Sequence, residues 1–215
     1  MLTSKSIALG EKELDPALSA DGSTLGPVEA GFVEMLRAGD ANAFDKLTSR
    51  YSSDIYALIF RLTADPEEAA DLTQETFLRA FKAIAGFRGN SDLKTWLYRI
   101  AINESRNRFR WWKRRRRGHT VSIDDTVGNS DTLYLETISD ASPNPEQETL
   151  RRERERILQN ALMQLPTIFR EPIVLFDIEG LSYEEICKAL ELNLGTLKSR
   201  LARGRKELKS TLAGY

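Results

Sequence analysis

The chain has 215 residues, with 31 Lys and Arg against 32 Asp and Glu, a formal net charge of −1 and 41% apolar residues, which is material for one large or two small ordinary cores. Its single cysteine, Cys187, excludes an internal disulfide, and its one histidine, His119, is too far along the chain to build a zinc site with it. No apolar run approaches the roughly 20 residues of a membrane span and no signal-peptide core is present, so the expectation is a cytoplasmic chain without membrane insertion.

Residues 1–30 are rich in Gly, Ser, Ala and Asp without periodicity and read as a flexible tail. From Phe32 to about Arg117 the pattern is helical. Asp40 precedes a segment with apolar positions Phe44, Leu47, Tyr51, Ile55, Leu58 and Leu62. Asp65-Pro66 then pairs a cap with a first-position proline and opens a helix carrying Ala69, Leu72, Phe77, Ala80 and Ile84. A glycine-bearing loop, Gly86 to Asn90, follows, and Ser91 starts a helix that runs into a basic cluster. Strand-like alternation is scarce, so an all-α first domain over residues 31–117 is predicted.

Residues 118–148 carry Asp124, Asp125, Asp131, Glu136, Asp140, Glu146 and Glu148 and no lysine or arginine. This predicts an acidic flexible linker over 118–145. A second small helical domain, 146–215, should follow: a helix from Asn144-Pro145 through Met163, a second from Pro166 with Ile168, Val174 and Leu175, and a kink or restart at Pro172. In the last part, Ser182 and Glu185 have capping-box spacing and Asn193 can cap the next helix. On that last helix Leu197, Leu201, Gly204, Leu208 and Leu212 form one stripe, opposite Lys198, Ser199, Ala202, Arg203 and Lys206. Lys198, Arg200, Arg203, Arg205, Lys206 and Lys209 oppose only Glu207. A helix-turn-helix whose second helix enters the DNA major groove accounts for caps, turn, stripe and charge together. Cys187 falls where its two helices should cross and reads as a small packing residue.

Two further constellations lie in the first domain. Arg106, Arg108, Arg110, Lys113, Arg114, Arg115, Arg116 and Arg117 are interleaved with Phe109, Trp111 and Trp112, and Arg99, Asn103, Arg106 and Arg110 share a helical stripe with Trp96 at its border. Basic groups neutralise phosphates and aromatic faces stack unpaired bases, a mixture suited to single-stranded or opened nucleic acid. Glu68, Asp71 and Glu75 lie on one face of the preceding helix. They lack a histidine or a facing carboxylate helix, so a protein-docking face fits them better than a metal.

Asp71-Leu72-Thr73-Gln74-Glu75-Thr76-Phe77, Phe87-Arg88-Gly89, Thr95-Trp96-Leu97-Tyr98-Arg99-Ile100-Ala101-Ile102-Asn103, Gly180-Leu181-Ser182-Tyr183-Glu184-Glu185-Ile186 and Gly195-Thr196-Leu197-Lys198-Ser199-Arg200-Leu201 resemble the signature segments of bacterial RNA polymerase sigma factors of the extracytoplasmic-function group. The resemblance implies an initiation factor with sigma domains 2 and 4, no cofactor, no metal and no enzymatic activity. It implies that Asp71, Gln74, Glu75 and Phe77 dock on core RNA polymerase. Phe87, Gly89, Ser91, Trp96, Arg99, Asn103, Arg106 and Arg110 would open and hold the −10 promoter element, with an extruded base read by its edges. Thr196, Lys198, Ser199, Arg200, Ala202, Arg203 and Arg205 would meet the −35 element, on bases or phosphates. An anti-sigma protein is the expected inhibitory partner. Glu191 stands where the family's turn commonly has glycine, so a positive φ costing about 1 kcal/mol is expected there. Two other classes compete: a helix-turn-helix regulator that binds duplex DNA unaided, and a metal-dependent nuclease built on Asp71 and Glu75.

Overall fold

The computed structural model describes residues 25–116 and 145–214, and among them every regular element is helical. The tail up to residue 24, nearly all of the acidic linker and the side chains from Trp112 to Arg117 lie outside the described residues.

Helix α1, Pro27–Arg37, begins inside the segment expected to be a tail. Pro27 at its first turn and the buried pair Val33 and Leu36 explain it. The helical pattern read from Phe32 onwards covers its second half; ahead of that, Val28 is the one large apolar side chain and gives no period. Glu29 ties it down by accepting the Leu93 amide, and Arg37 donates to the Phe87 carbonyl.

Helix α2, Ala41–Thr63, starts where Asp40 accepts the Asn42 and Ala43 amides. It buries Leu47, Tyr51, Ile55, Leu58, Ile59 and Leu62, while Phe44 sits at the rim with its ring 4.6 Å from that of Phe81. Asp65 accepts the Glu68 amide and opens α3, Pro66–Ala83, which buries Ala69, Leu72, Thr76 and Ala80. A 3₁₀ turn, Ile84–Gly86, leads to the loop before α4, Leu93–Arg116. The cap of α4 is Asp92 rather than Ser91: its carboxylate accepts the Thr95 amide at 2.6 Å, and an ionised acceptor outcompetes a neighbouring hydroxyl. Helices α2, α3 and α4 each pack on the other two.

The second unit contains α5 (Pro145–Gln164), α6 (Thr167–Ile173), a π-helical turn (Val174–Ile178), α7 (Tyr183–Leu190) and α8 (Leu194–Leu212). Pro172 sits inside α6 and is buried; it cannot donate to the ladder, and the helix widens immediately afterwards, with Glu179 N–H reaching the Val174 carbonyl. The expected disturbance at Pro172 is thus a widening of a continuing helix. Ile168, expected on the apolar side, is 51% exposed. The capping box of Ser182 and Glu185 and the Asn193 cap are both formed. Between α7 and α8, Glu191 adopts φ 57° and ψ 46°, the left-handed geometry expected of a glycine. Leu197, Leu201 and Gly204 bury the stripe of α8 against α6, and Cys187 packs partly buried at the edge of the same core.

The two units are docked on each other. Their buried apolar side chains form one continuous cluster, with α7 packed on α4 and α5 on α2. Arg170 is central to that junction. Its guanidinium donates to the Leu62 carbonyl at the end of α2 and to the Met163 and Leu165 carbonyls at the end of α5. Two helix C-termini, each carrying unpaired carbonyls and partial negative charge, therefore meet on one cation.

Replacing Arg170 with Met leaves three buried carbonyls without donors, at about 1 kcal/mol or more each. Urea denaturation is expected to show a loss of about 3 kcal/mol. Gly204→Ala would place its Cβ 2.7 Å from Ile173 Cδ1 and 3.0 Å from Phe169 Cβ. Overpacking of 1–3 kcal/mol outweighs the roughly 1 kcal/mol helix preference for alanine, so thermal melting should show a net loss of about 1 kcal/mol.

Candidate nucleic-acid and polymerase-docking surfaces

Three surfaces carry the residues singled out from the sequence. The first is the outer face of α8, where Lys198, Ser199, Ala202 and Arg203 are all exposed. Thr196 and Arg200 are half-buried at its border. Ser199 donates to the Thr196 carbonyl, and the Asn193 cap holds the Thr196 amide, so the start of the helix is rigid. Arg205 behaves differently from its neighbours. It makes a bidentate pair with Asp177, at 2.5 and 3.0 Å, and lies over the Phe176 ring at 5.0 Å. Phe176 stacks on Tyr183 with centroids 4.8 Å apart, and Lys198 lies over Tyr183 at 5.8 Å. A cation–aromatic–aromatic–cation ladder thus fixes the rotation of α8. In this arrangement Arg205 braces the reading helix instead of facing outward. Phe176 and Tyr183 were missed from the sequence because each fits an ordinary core pattern; a basic residue facing each one is visible only in three dimensions.

The second surface is formed by α4 and the loop before it. Phe87 is buried, its ring 5.0 Å from half-buried Trp96, so it supports the loop from beneath and offers no free face to a base. Gly89 adopts φ 71° and is buried, and Ser91 and Asn103 are half-buried. Along one stripe of α4, Thr95, Arg99 and Arg106 face the second unit. Arg106 forms a bidentate pair with Glu171 at 2.8 and 2.5 Å, and that bond pushes the already high guanidinium pKa upward. Arg99 bonds Glu191 at 2.7 Å, and Thr95 reaches Glu185 at 3.4 Å. Beside them Tyr98 donates to Glu179 at 2.6 Å, and Arg61 from α2 bonds the other oxygen of the same carboxylate at 2.5 Å. Arg61 was not identified from the sequence, because a single arginine near a helix end carries no pattern.

The third surface is the acidic face of α3. Asp71 and Gln74 are exposed, while Glu75 and Phe77 are half-buried. Leu78 and Phe81 extend it with exposed apolar surface. A groove of about 630 Å³ runs between α3 and α4, lined by Glu75, Glu104, Asn107, Arg108, Arg110 and Trp111 among others. Arg110 and Glu75 both line it. Glu104 on its floor is raised in pKa by burial, opposed by Arg79 at 2.8 Å. Arg79 also reaches Glu75 at 3.3 Å, and Arg108 reaches Glu68 at 3.6 Å, so these carboxylates serve arginines. Among the described residues no group of three His, Cys, Asp or Glu side chains is placed to hold a metal ion.

Residues 47–117 match the family model of sigma-70 region 2, and residues 155–208 match that of sigma-70 region 4. Over 180 residues the chain is 37% identical to the RNA polymerase sigma-H factor of Pseudomonas aeruginosa, spanning 84% of this chain and 91% of that one. It is 33% identical over 184 residues to the ECF RNA polymerase sigma-E factor of Haemophilus influenzae, covering 86% and 95% respectively. The chain belongs to the extracytoplasmic-function sigma factors of the sigma-70 family. Among solved structures this sigma factor resembles RpoE of Bartonella quintana in complex with the anti-sigma factor NepR, with TM-score 0.62 and 25% identity over 79% of this chain and 96% of that one. It shares its fold with CnrH, solved in complex with the cytosolic domain of CnrY, at TM-score 0.61 and 21% identity over 87% and 99% of the two chains. In this sigma factor the region 2 match covers the α3 and α4 surfaces, and the region 4 match covers the α8 surface.

Burial, followed by the bond to Glu179, raises the Tyr98 phenol well above its ordinary value. A group whose pKa folding raises contributes stability fully present below its unfolded value, about 10 for tyrosine, and lost as pH rises beyond it. Urea midpoints measured between about pH 9 and about pH 11 should therefore fall, and should fall less steeply in Tyr98→Phe.

Proposed function

We propose that the chain is a promoter-specificity factor that binds core RNA polymerase, directs it to promoters and performs no reaction of its own. The observation that carries this reading is the exposed quartet Lys198, Ser199, Ala202 and Arg203 on a braced second helix of a helix-turn-helix, in a chain that also presents a separate acidic and apolar face on α3. A duplex-binding regulator has use for the first feature alone. In the −35 duplex, Lys198 and Arg203 would supply hydrogen bonds to base edges or phosphates, and Ala202 a methyl contact to thymine. Asp71, Gln74, Glu75 and Phe77 would dock on the polymerase. The loop at Gly89 and Ser91, with Trp96, Arg99, Asn103 and Arg106, would hold the opened −10 strand. Binding energy drives the strand separation, which requires no nucleotide hydrolysis. The factor would act in the cytoplasm, where the polymerase is. An anti-sigma protein would be its inhibitory partner, as NepR is for the Bartonella sigma factor.

The test is transcription by sigma-free core polymerase on genomic fragments of the host, with start sites mapped by sequencing. The purified chain should produce discrete starts that share two spaced upstream motifs. The pair Asp71→Lys and Glu75→Lys should abolish them. Arg203→Ala should lower output about tenfold or more, the cost of 1–3 kcal/mol for one lost base contact. Absence of transcripts together with a defined duplex shift by the chain alone would replace this reading with that of a regulator.

A further inference from the structure

By register Arg205 belongs to the reading side of α8, yet its guanidinium is held elsewhere. Along the helix it follows Lys198 and Ala202 on one line, about 20° short of two full turns past Lys198 and about 10 Å further along the axis. A helix whose first turns enter the major groove crosses the bounding phosphates as it leaves, so a basic residue at this place has a phosphate within reach. Instead, Nε and Nη2 of Arg205 donate to the two carboxylate oxygens of Asp177, and the guanidinium lies over the Phe176 ring at 5.0 Å. The fork that grips both oxygens of a carboxylate is the one that grips a phosphate. Phe176 and Asp177 are neighbours in the π-helical turn, so ring and carboxylate act on the guanidinium from one place. The pair is not a sealed structural bond: the side chains of Arg205 and Asp177 are 38% and 35% exposed. Lys198 and Arg203 differ, since among the described residues neither has a carboxylate within ion-pair distance.

We infer that Asp177 is a positioning residue of the DNA-reading helix: it withholds Arg205 from the phosphate backbone, so that α8 meets a duplex through Lys198, Ser199, Ala202 and Arg203 without an anchor beyond them. The inference rests on the proposed function only for the identity of that duplex as a −35 element. A phosphate contact carries no sequence information and adds affinity to every duplex alike. Withholding it weakens sequence-independent binding and leaves a larger share of the remaining affinity to base edges. Each phosphate contact also adds about 0.9 to the slope of log affinity against log salt concentration, so the contact that Asp177 prevents can be counted.

The experiment titrates the full chain into a fluorescein-labelled duplex of random sequence and reads anisotropy at salt concentrations from about 50 to about 200 mM. Asp177→Asn should bind several-fold more tightly at the lowest salt, with a slope steeper by about 0.9. Arg205→Gln should leave the parental slope unchanged, because the parent makes no phosphate contact there. Loss of an acidic charge near DNA would strengthen binding by itself, so the deciding comparison is the double variant. Asp177→Asn combined with Arg205→Gln should return to the slope of Arg205→Gln alone. A double variant that keeps the full gain overturns the inference in favour of plain charge repulsion. So does a slope made shallower by about 0.9 in Arg205→Gln, which would mean that Arg205 already holds a phosphate. An Asp177→Asn chain that binds no better than the parent also overturns it, whether or not the parent's own binding is measurable. If Asp177→Asn loses helical circular dichroism, Asp177→Ser, which also removes the two-oxygen acceptor, takes its place. Promoter-specific transcription is a separate readout: a parent chain that starts no transcript refutes the proposed function, while the salt slopes still decide the role of Asp177.

Discussion

The arrangement depends on one buried cation. Arg170 gathers the last carbonyls of α2 and α5, and among the described residues no carboxylate bonds its guanidinium directly. Removal from water lowers its pKa, with Glu171 opposing the shift, yet partial charges from two helix ends suffice to keep an arginine ionised. Satisfying three acceptors at once fixes where α6 begins relative to α2. Every later feature of the second unit is placed from there: the wide turn, the carboxylates that meet α4 and the basic helix beyond them.

The docked surfaces join unlike forces. Apolar contact is continuous across the units and insensitive to salt, while the ion pairs around it are partly solvated and weaken as ionic strength rises. Exposed pairs such as Arg99 with Glu191 contribute little to stability, whereas Glu171 and Glu179 are almost fully enclosed. Truncating an enclosed carboxylate strands its arginine, which is why the buried members set the cost of opening. The same glutamates make the second unit a poor neighbour for DNA on that side and leave the α8 face as a strongly basic approach.

Much of this was legible in the sequence where a local rule acts alone. The caps at Asp40, Asp65, Ser182 and Asn193 and the buried stripe of α8 follow from side chains within a few residues of one another, and the left-handed Glu191 from the resemblance to a family whose turn has glycine there. The start of helix α1 escaped because residues 27–31 hold one large apolar side chain and make no period, and the start of α4 shifted because a carboxylate sat next to the hydroxyl expected as its cap. What no local rule could supply was partnership over distance. Glu179 carries no local pattern that points to Arg61, 118 positions earlier, and nothing near Arg205 in the sequence points to Asp177. The contact between the two units is of the same kind: the composition of a linker says nothing about whether the bodies it joins adhere.

The π-helical turn after Pro172 determines phase. Each residue advances an α-helix by about 100°, so accommodating one extra residue in a turn redirects everything beyond it by roughly that angle. Asp177 and Glu179 leave the same short stretch yet face different partners, Asp177 towards Arg205 and Glu179 towards Arg61 and Tyr98. The widened turn thus sets the direction of two couplings relative to α6, one orienting the helix that reads DNA and the other seating that whole unit on its neighbour. A chain with an unbroken α-helical repeat through Val174–Ile178 would turn both carboxylates relative to α6 and so misalign both couplings at once.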